Sequence, residues 1–99
     1  MKVTRTDNND ATVIKVEGQL DTVTKSDLKA VADQVVKDER KDITLDLSLL
    51  VLIDEYGANE IVSLYKRVKA YNGQMRIVGL HDQPRAILRL LHLDKVLPI

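Results

Sequence analysis

Leu49-Leu50-Val51-Leu52-Ile53-Asp54-Glu55-Tyr56-Gly57 is the stretch whose reading decides the fold. The five apolar residues 49–53 are too few to cross a membrane and are the right length for a fully buried strand. Asp54 suits the N-cap of a following helix, because its carboxylate can accept a hydrogen bond from a first-turn amide that has no other partner. A strand running straight into a helix brings free N–H groups and the positive end of the helix dipole to the surface. Such a place suits a regulated or recognised group. Glu55 and Tyr56 occupy it.

On the C-terminal side, Ala58, Ile61, Val62, Tyr65 and Val68 recur at helical spacing, with Glu60, Lys66, Arg67 and Lys69 turned to water. Asn72-Gly73 ends this helix, with Gly suited to the left-handed position. Met75 to Val78 reads as a short strand. Asp82-Gln83-Pro84 opens a third helix with Pro in its first turn, lined inside by Ile87, Leu88 and Leu91. Leu93 and Val96-Leu97-Pro98-Ile99 form a last short element, with an edge strand as one option.

On the N-terminal side, Ile43, Leu45 and Leu47 alternate with Thr44, Asp46 and Ser48 and lead into the apolar run. Before them, Leu28, Val31, Ala32, Val35 and Val36 mark a helix, and Thr24 with Asp27 resembles a capping box. Thr12, Ile14 and Val16 alternate with Val13, Lys15 and Glu17 as a strand that Gly18-Gln19-Leu20-Asp21 interrupts. Asp7-Asn8-Asn9-Asp10 is a turn after a first short strand.

The order is β-β-α-β-α-β-α with an optional final β. That is a single α/β domain over residues 1–99, with a mixed, mostly parallel sheet and helices packed against it. Ligands or partners belong near the carboxyl ends of the strands, where Asp54 to Gly57 lies.

Composition narrows the function. Fifteen basic and fifteen acidic side chains cancel, so no overall positive field draws in nucleic acid or anionic membrane. Three tyrosines are the only aromatics, too few for a base-stacking platform. Cysteine is absent, which removes disulfides, thiolate metal sites and a catalytic thiol and is compatible with a reducing cytoplasm. The first residues lack the apolar core of a signal peptide, and no run approaches the ~20 apolar residues of a spanning helix. The expectation is a cytoplasmic protein that binds no nucleic acid and inserts into no membrane.

Gly18-Gln19-Leu20-Asp21, Asp46-Leu47-Ser48, the run into Ile53-Asp54 and the ending Leu90-Leu91-His92-Leu93-Asp94-Lys95-Val96-Leu97 together resemble the STAS domain family of sulfate transporters and anti-sigma-factor antagonists. The four pieces stand in the family's order, on the expected elements, and cover nearly the whole chain. The resemblance to the antagonist type implies a cytoplasmic switch protein that binds a kinase-like anti-sigma factor or a related signalling partner and is turned off by phosphorylation. The family's switch reads Asp-Ser-Ser-Gly or Asp-Ser/Thr-x-Gly, with the modified hydroxyl just before Gly. Glu55 and Tyr56 hold the matching positions here, so Tyr56 stands where the phosphorylated serine is expected and the usual serine switch is missing. A second reading from the same resemblance is a STAS subunit that stabilises the ATPase of a membrane-associated, lipid-transport-like ABC complex.

The expected partner-binding set is therefore Asp21, Asp54, Glu55, Tyr56, Gly57, Asn59 and Glu60. Glu55 reads either as an ordinary first-turn residue or as a fixed partial imitation of a phosphate. Tyr56 reads as an interface anchor or as a tyrosine packed on its own domain. Asp21 and Asp54, which the resemblance places on one rim, read as turn and cap residues rather than an acid–base or metal pair. Thr22, Thr24 and Ser48 are alternative phosphate acceptors. His81 and His92 lack companions at metal-binding spacing. No glycine-rich phosphate loop and no nucleophile–base arrangement can be argued, so no catalytic residue, metal or cofactor is expected. Oligomeric state is left open.

Overall fold

A computed structural model describes residues 1–99. The elements are β1 (Lys2–Asn8), β2 (Ala11–Leu20), α1 (Lys25–Lys37), β3 (Asp42–Ile53), α2 (Glu55–Ala70), β4 (Gln74–Val78) and α3 (Asp82–Leu90), followed by a 3₁₀ turn at Leu93–Lys95. The sheet runs β1-β2-β3-β4. β1 and β2 pair antiparallel across a two-residue turn. The β2–β3 and β3–β4 pairs are parallel, because α1 and α2 carry the chain back across the sheet. The architecture is the α/β domain expected from the sequence. The chain end is a turn rather than a strand, with Leu97 buried in the core. No helix is long and apolar enough to cross a membrane.

Alternation fixes which face is covered. Thr12, Ile14 and Val16 of β2, Ile43 and Leu45 of β3 and Met75 of β4 are buried. They share the core with Leu28, Ala32 and Val35 of α1 and with Ala58, Ile61, Leu64 and Val68 of α2. Each fully buried Leu or Ile contributes about 1.5–3 kcal/mol over leaving it in water. Leu64 belongs to this stripe although the spacing argument left it out. Val62 and Tyr65 pack only at its margin. Val13, Arg76 and Val78, on the opposite parity, stay exposed, so one face of the sheet is open.

β3 departs from expectation. The run 49–53 is not fully buried: Leu50 and Ile53 are, but Leu49, Val51 and Leu52 are 46%, 60% and 42% exposed. The cause is register. Relative to β2, β3 carries one extra residue between Asp46 and Leu49 and another between Leu50 and Leu52. Such bulges re-aim side chains and bend the strand. Buried positions therefore recur at 47, 50 and 53 instead of every second residue. β4 pairs only with Asp42 to Asp46, so the second half of β3 has no strand on that side.

Three local expectations also change. β2 continues through Gly18, whose φ of +103° sits at an irregularity, and ends at Leu20. At the end of α2 it is Asn72, with φ +65°, that takes the left-handed position. Gly73 is needed for space, since a Cβ there would lie 2.7 Å from Val68 Cγ1. Thr24 makes no side-chain cap for α1.

Candidate functional site

The carboxyl ends of β2 and β3 are tied together where α2 begins. Asp54 is extended, and its Oδ1 accepts from the Gly57 amide at 2.8 Å, the N-cap expected from the sequence. Its Oδ2 accepts from the Thr22 amide at 3.3 Å, and its own amide donates to the Leu20 carbonyl at 3.2 Å. Gly57 is buried directly against that strand end. A Cβ there would lie 2.3 Å from the Leu20 carbonyl oxygen, so no other residue lets α2 start so close to β2. Gly57 therefore sets position and offers a partner no surface.

Asp21 organises the neighbouring loop. Its Oδ1 accepts from the amides of Val23 at 2.9 Å and Thr24 at 3.0 Å, and its carbonyl accepts from the Lys25 amide at 2.8 Å. The Thr24 hydroxyl has a single proton, which goes to the Gln19 carbonyl at 2.7 Å, while its oxygen accepts from the Asp21 amide. Capping of the turn that leads into α1 has thus moved from Thr24 to Asp21. The Thr24 and Val23 amides hold the Asp21 carboxyl below the usual carboxylate range, Thr24 most strongly. Asp21 and Asp54 direct lone pairs at backbone amides, so both shape the rim, as a turn residue and a cap do.

Tyr56 stands on this rim, 48% exposed. Lys25 Nζ lies 5.5 Å from its ring centroid, a cation–π contact between the starts of α1 and α2. Glu55 and Asn59 are exposed beside it and Glu60 is half-buried. Glu55 lies in the first turn of α2, where its charge complements the helix dipole. Glu55, Tyr56 and Asn59 with Leu91 and Leu93 line an open hollow of about 470 Å³. Gln19, Leu20, Asp21, Leu52, Ile53, Asp54 and Gln83 line a second hollow of about 290 Å³. The rim thus unites Asp21, Asp54, Glu55, Tyr56 and Asn59 from the expected set, and Glu60 follows Asn59 on α2. Thr22 and Ser48 are exposed, whereas the Thr24 hydroxyl is engaged within the loop.

Sequence reasoning missed the residues that seal β3's free edge. The Gln83 side-chain amide accepts from Ile53 N–H and donates to Ile53 C=O, both at 2.9 Å, as a neighbouring strand would. His81 places Nε2 2.8 Å from the Ser48 carbonyl and Nδ1 2.7 Å from Asp82 Oδ2. Both partners only accept, so the geometry calls for a doubly protonated imidazole. Its pKa is raised, first by Asp82 and then by the Ser48 carbonyl. No periodicity or local spacing signals a pairing across about thirty residues. The only available sign is a Gln in the first turn of a helix that follows a strand too short to cover its neighbour.

Comparison with known proteins fits this geometry. Residues 2–99 match the STAS domain family. The structure superposes on an anti-sigma factor antagonist from Mycobacterium paratuberculosis with a TM-score of 0.88 at 25% identity, covering 98% of this chain and 82% of that one. The cell-fate determinant SpoIIAA of Bacillus, in its phosphorylated form, gives 0.75 at 14% identity, with 95% and 86% covered. A sulfate transporter family protein from Wolinella succinogenes gives 0.77 at 17% identity, with 91% and 73% covered. The last two likenesses concern the fold alone.

Proposed function

Since the chain belongs to the STAS domain family, we propose that it is a non-catalytic, cytoplasmic interaction module of the anti-sigma-factor-antagonist type. It binds a kinase-like anti-sigma factor or a related signalling protein through the start of α2. Tyr56 occupies the place of the family's phosphorylated hydroxyl, and docking proceeds without a serine phospho-switch. Asp21 and Asp54 hold the rim in shape, Gly57 fixes the start of α2 against β2, and Glu55, Tyr56, Asn59 and Glu60 make the contact.

The observation that carries this reading is Tyr56 itself. It is a large aromatic side chain, about half exposed, braced by Lys25, on a helix start that cannot shift because Gly57 abuts Leu20. Rigid, amphipathic aromatic groups in that setting are the usual energetic centres of protein interfaces. A tyrosine serving only its own core would be covered.

The test begins with affinity capture from the native cell under gentle crosslinking, with co-purifying proteins and modified residues identified by mass spectrometry. A kinase-like ATPase or sigma-associated regulator is expected. With that partner purified, Tyr56→Ala weakens binding by about 2 kcal/mol or more and leaves the melting temperature nearly unchanged. A large loss of thermal stability at unchanged affinity removes the docking role. Recovery of transporter ATPase and permease subunits makes the protein a structural subunit instead.

A further inference from the structure

The bulges that expose Leu49, Val51 and Leu52 leave an apolar patch on the open face of β3, and nothing within the chain covers it. The patch adjoins the rim, because Leu52 lines the same hollow as Asp21 and Asp54. Glu17 lies beside Leu49 in the β2–β3 register, and Glu55 begins α2 two residues beyond Ile53. Ion pairs elsewhere satisfy Asp7, Asp33, Asp38 and Asp42, yet none involves Glu17, Asp21, Asp54 or Glu55. The molecule is neutral overall, and four of its carboxylates without an ion pair, Glu17, Asp21, Asp54 and Glu55, border the exposed aliphatic strand, outnumbering the N-terminal amine near Asp21 and Lys25 at Tyr56.

We propose that this face is the second half of the docking surface. Resting on the function proposed above, it receives a segment of the same partner whose apolar side chains are flanked by Lys or Arg. Charge complementarity selects that occupant. A symmetric second copy would set the four carboxylates against one another, since a two-fold contact uses the same patch twice. An anionic lipid surface would meet the same repulsion. Addition of a strand at β3's free edge would have to displace Gln83 and His81, which already hold Ile53 and Ser48. The sheet face therefore makes the contact and the edge does not.

Photocrosslinking in the native cell decides the matter. Val51→p-benzoylphenylalanine and, in a separate chain, Tyr56→p-benzoylphenylalanine are irradiated and the crosslinked peptides mapped. Both positions are expected to trap one protein, with Lys or Arg beside apolar residues in the peptide joined at Val51. With that protein purified, Glu17→Lys and Leu52→Asp should each lower affinity at least about tenfold at unchanged melting temperature. If Leu52→Asp unfolds, the surface change Glu17→Lys decides alone. Crosslinks from Tyr56 with none from Val51 overturn the second surface and leave the proposed function standing. Crosslinks from Val51 to a second copy, to lipid or to an acidic peptide overturn it too. Silence at both positions, or at Tyr56 alone, overturns both readings.

Discussion

Gly57 shows how one residue can place a whole surface. Its missing Cβ would sit 2.3 Å from the Leu20 carbonyl oxygen, 2.8 Å from Leu20 Cγ and 2.8 Å from the Leu20 carbonyl carbon. Two of those atoms belong to a backbone that Asp54 already ties in place, so neither side can give way easily. Gly57→Ala should therefore cost at least about 3 kcal/mol, the upper range for forcing atoms into a filled core. Chemical denaturation measures it, and a loss below about 1 kcal/mol would show that α2 can slide. Tyr56 is the counterpart next door. Its change to Ala removes contact area from a half-exposed ring and leaves the core alone. Binding and stability should therefore separate at these neighbouring positions, Tyr56 affecting the first and Gly57 the second.

At the scale of elements, α3 acts on β3 through its first turn. β4 stops opposite Asp46, and Gln83 replaces the absent strand with two hydrogen bonds to Ile53. Gln83→Leu keeps the volume and loses both bonds, leaving the polar backbone of a nearly buried residue unpaired. The expected cost is about 2 kcal/mol, with faster amide exchange at Ile53 and little change at Ile14. Unchanged exchange at Ile53 would mean that water substitutes for the amide. This pairing also marks the limit of what the sequence could tell. The two periods, 2 in Thr12-Ile14-Val16 and Ile43-Leu45-Leu47 and 3.6 in both long helices, were plain because each follows from one buried face. The exposure of Leu49, Val51 and Leu52 was not, because an apolar run reads the same whether the strand is regular or bulged. Asp21, Asp54 and Tyr56 were legible on the rim through local capping chemistry and motif order. Lys25 and Gln83 were not, since their roles exist only once distant elements meet.

Over the whole molecule, stability against pH is a sum of pairings spread across the fold. Asp7, Asp21, Asp33 and Asp46 all have carboxyls held below the ordinary value of 3.8. The leading causes are Arg5 for Asp7, the Thr24 amide for Asp21, Lys29 for Asp33 and the Ser48 amide for Asp46. A carboxyl whose folded pKa is depressed contributes stability that is present above its unfolded value and lost as pH falls through the folded one. His81 has the opposite sign. Its folded pKa is raised above 6.5, so its contribution is full below 6.5 and disappears as pH rises through the raised value. The urea midpoint should therefore be highest between these limits, fall steeply below 3.8 and decline slightly on the alkaline side. His81→Gln should remove only the alkaline decline. Asp33→Asn should reduce the acid fall, because Asp33 joins α1 to α2 through Arg67 at 2.8 Å as well as pairing with Lys29. A midpoint that stays flat down to pH ~2 would mean that these carboxylates keep the same environment in the unfolded chain. The fold would then rest on its apolar core alone, with the four aspartates serving only to shape its loops and helix contacts.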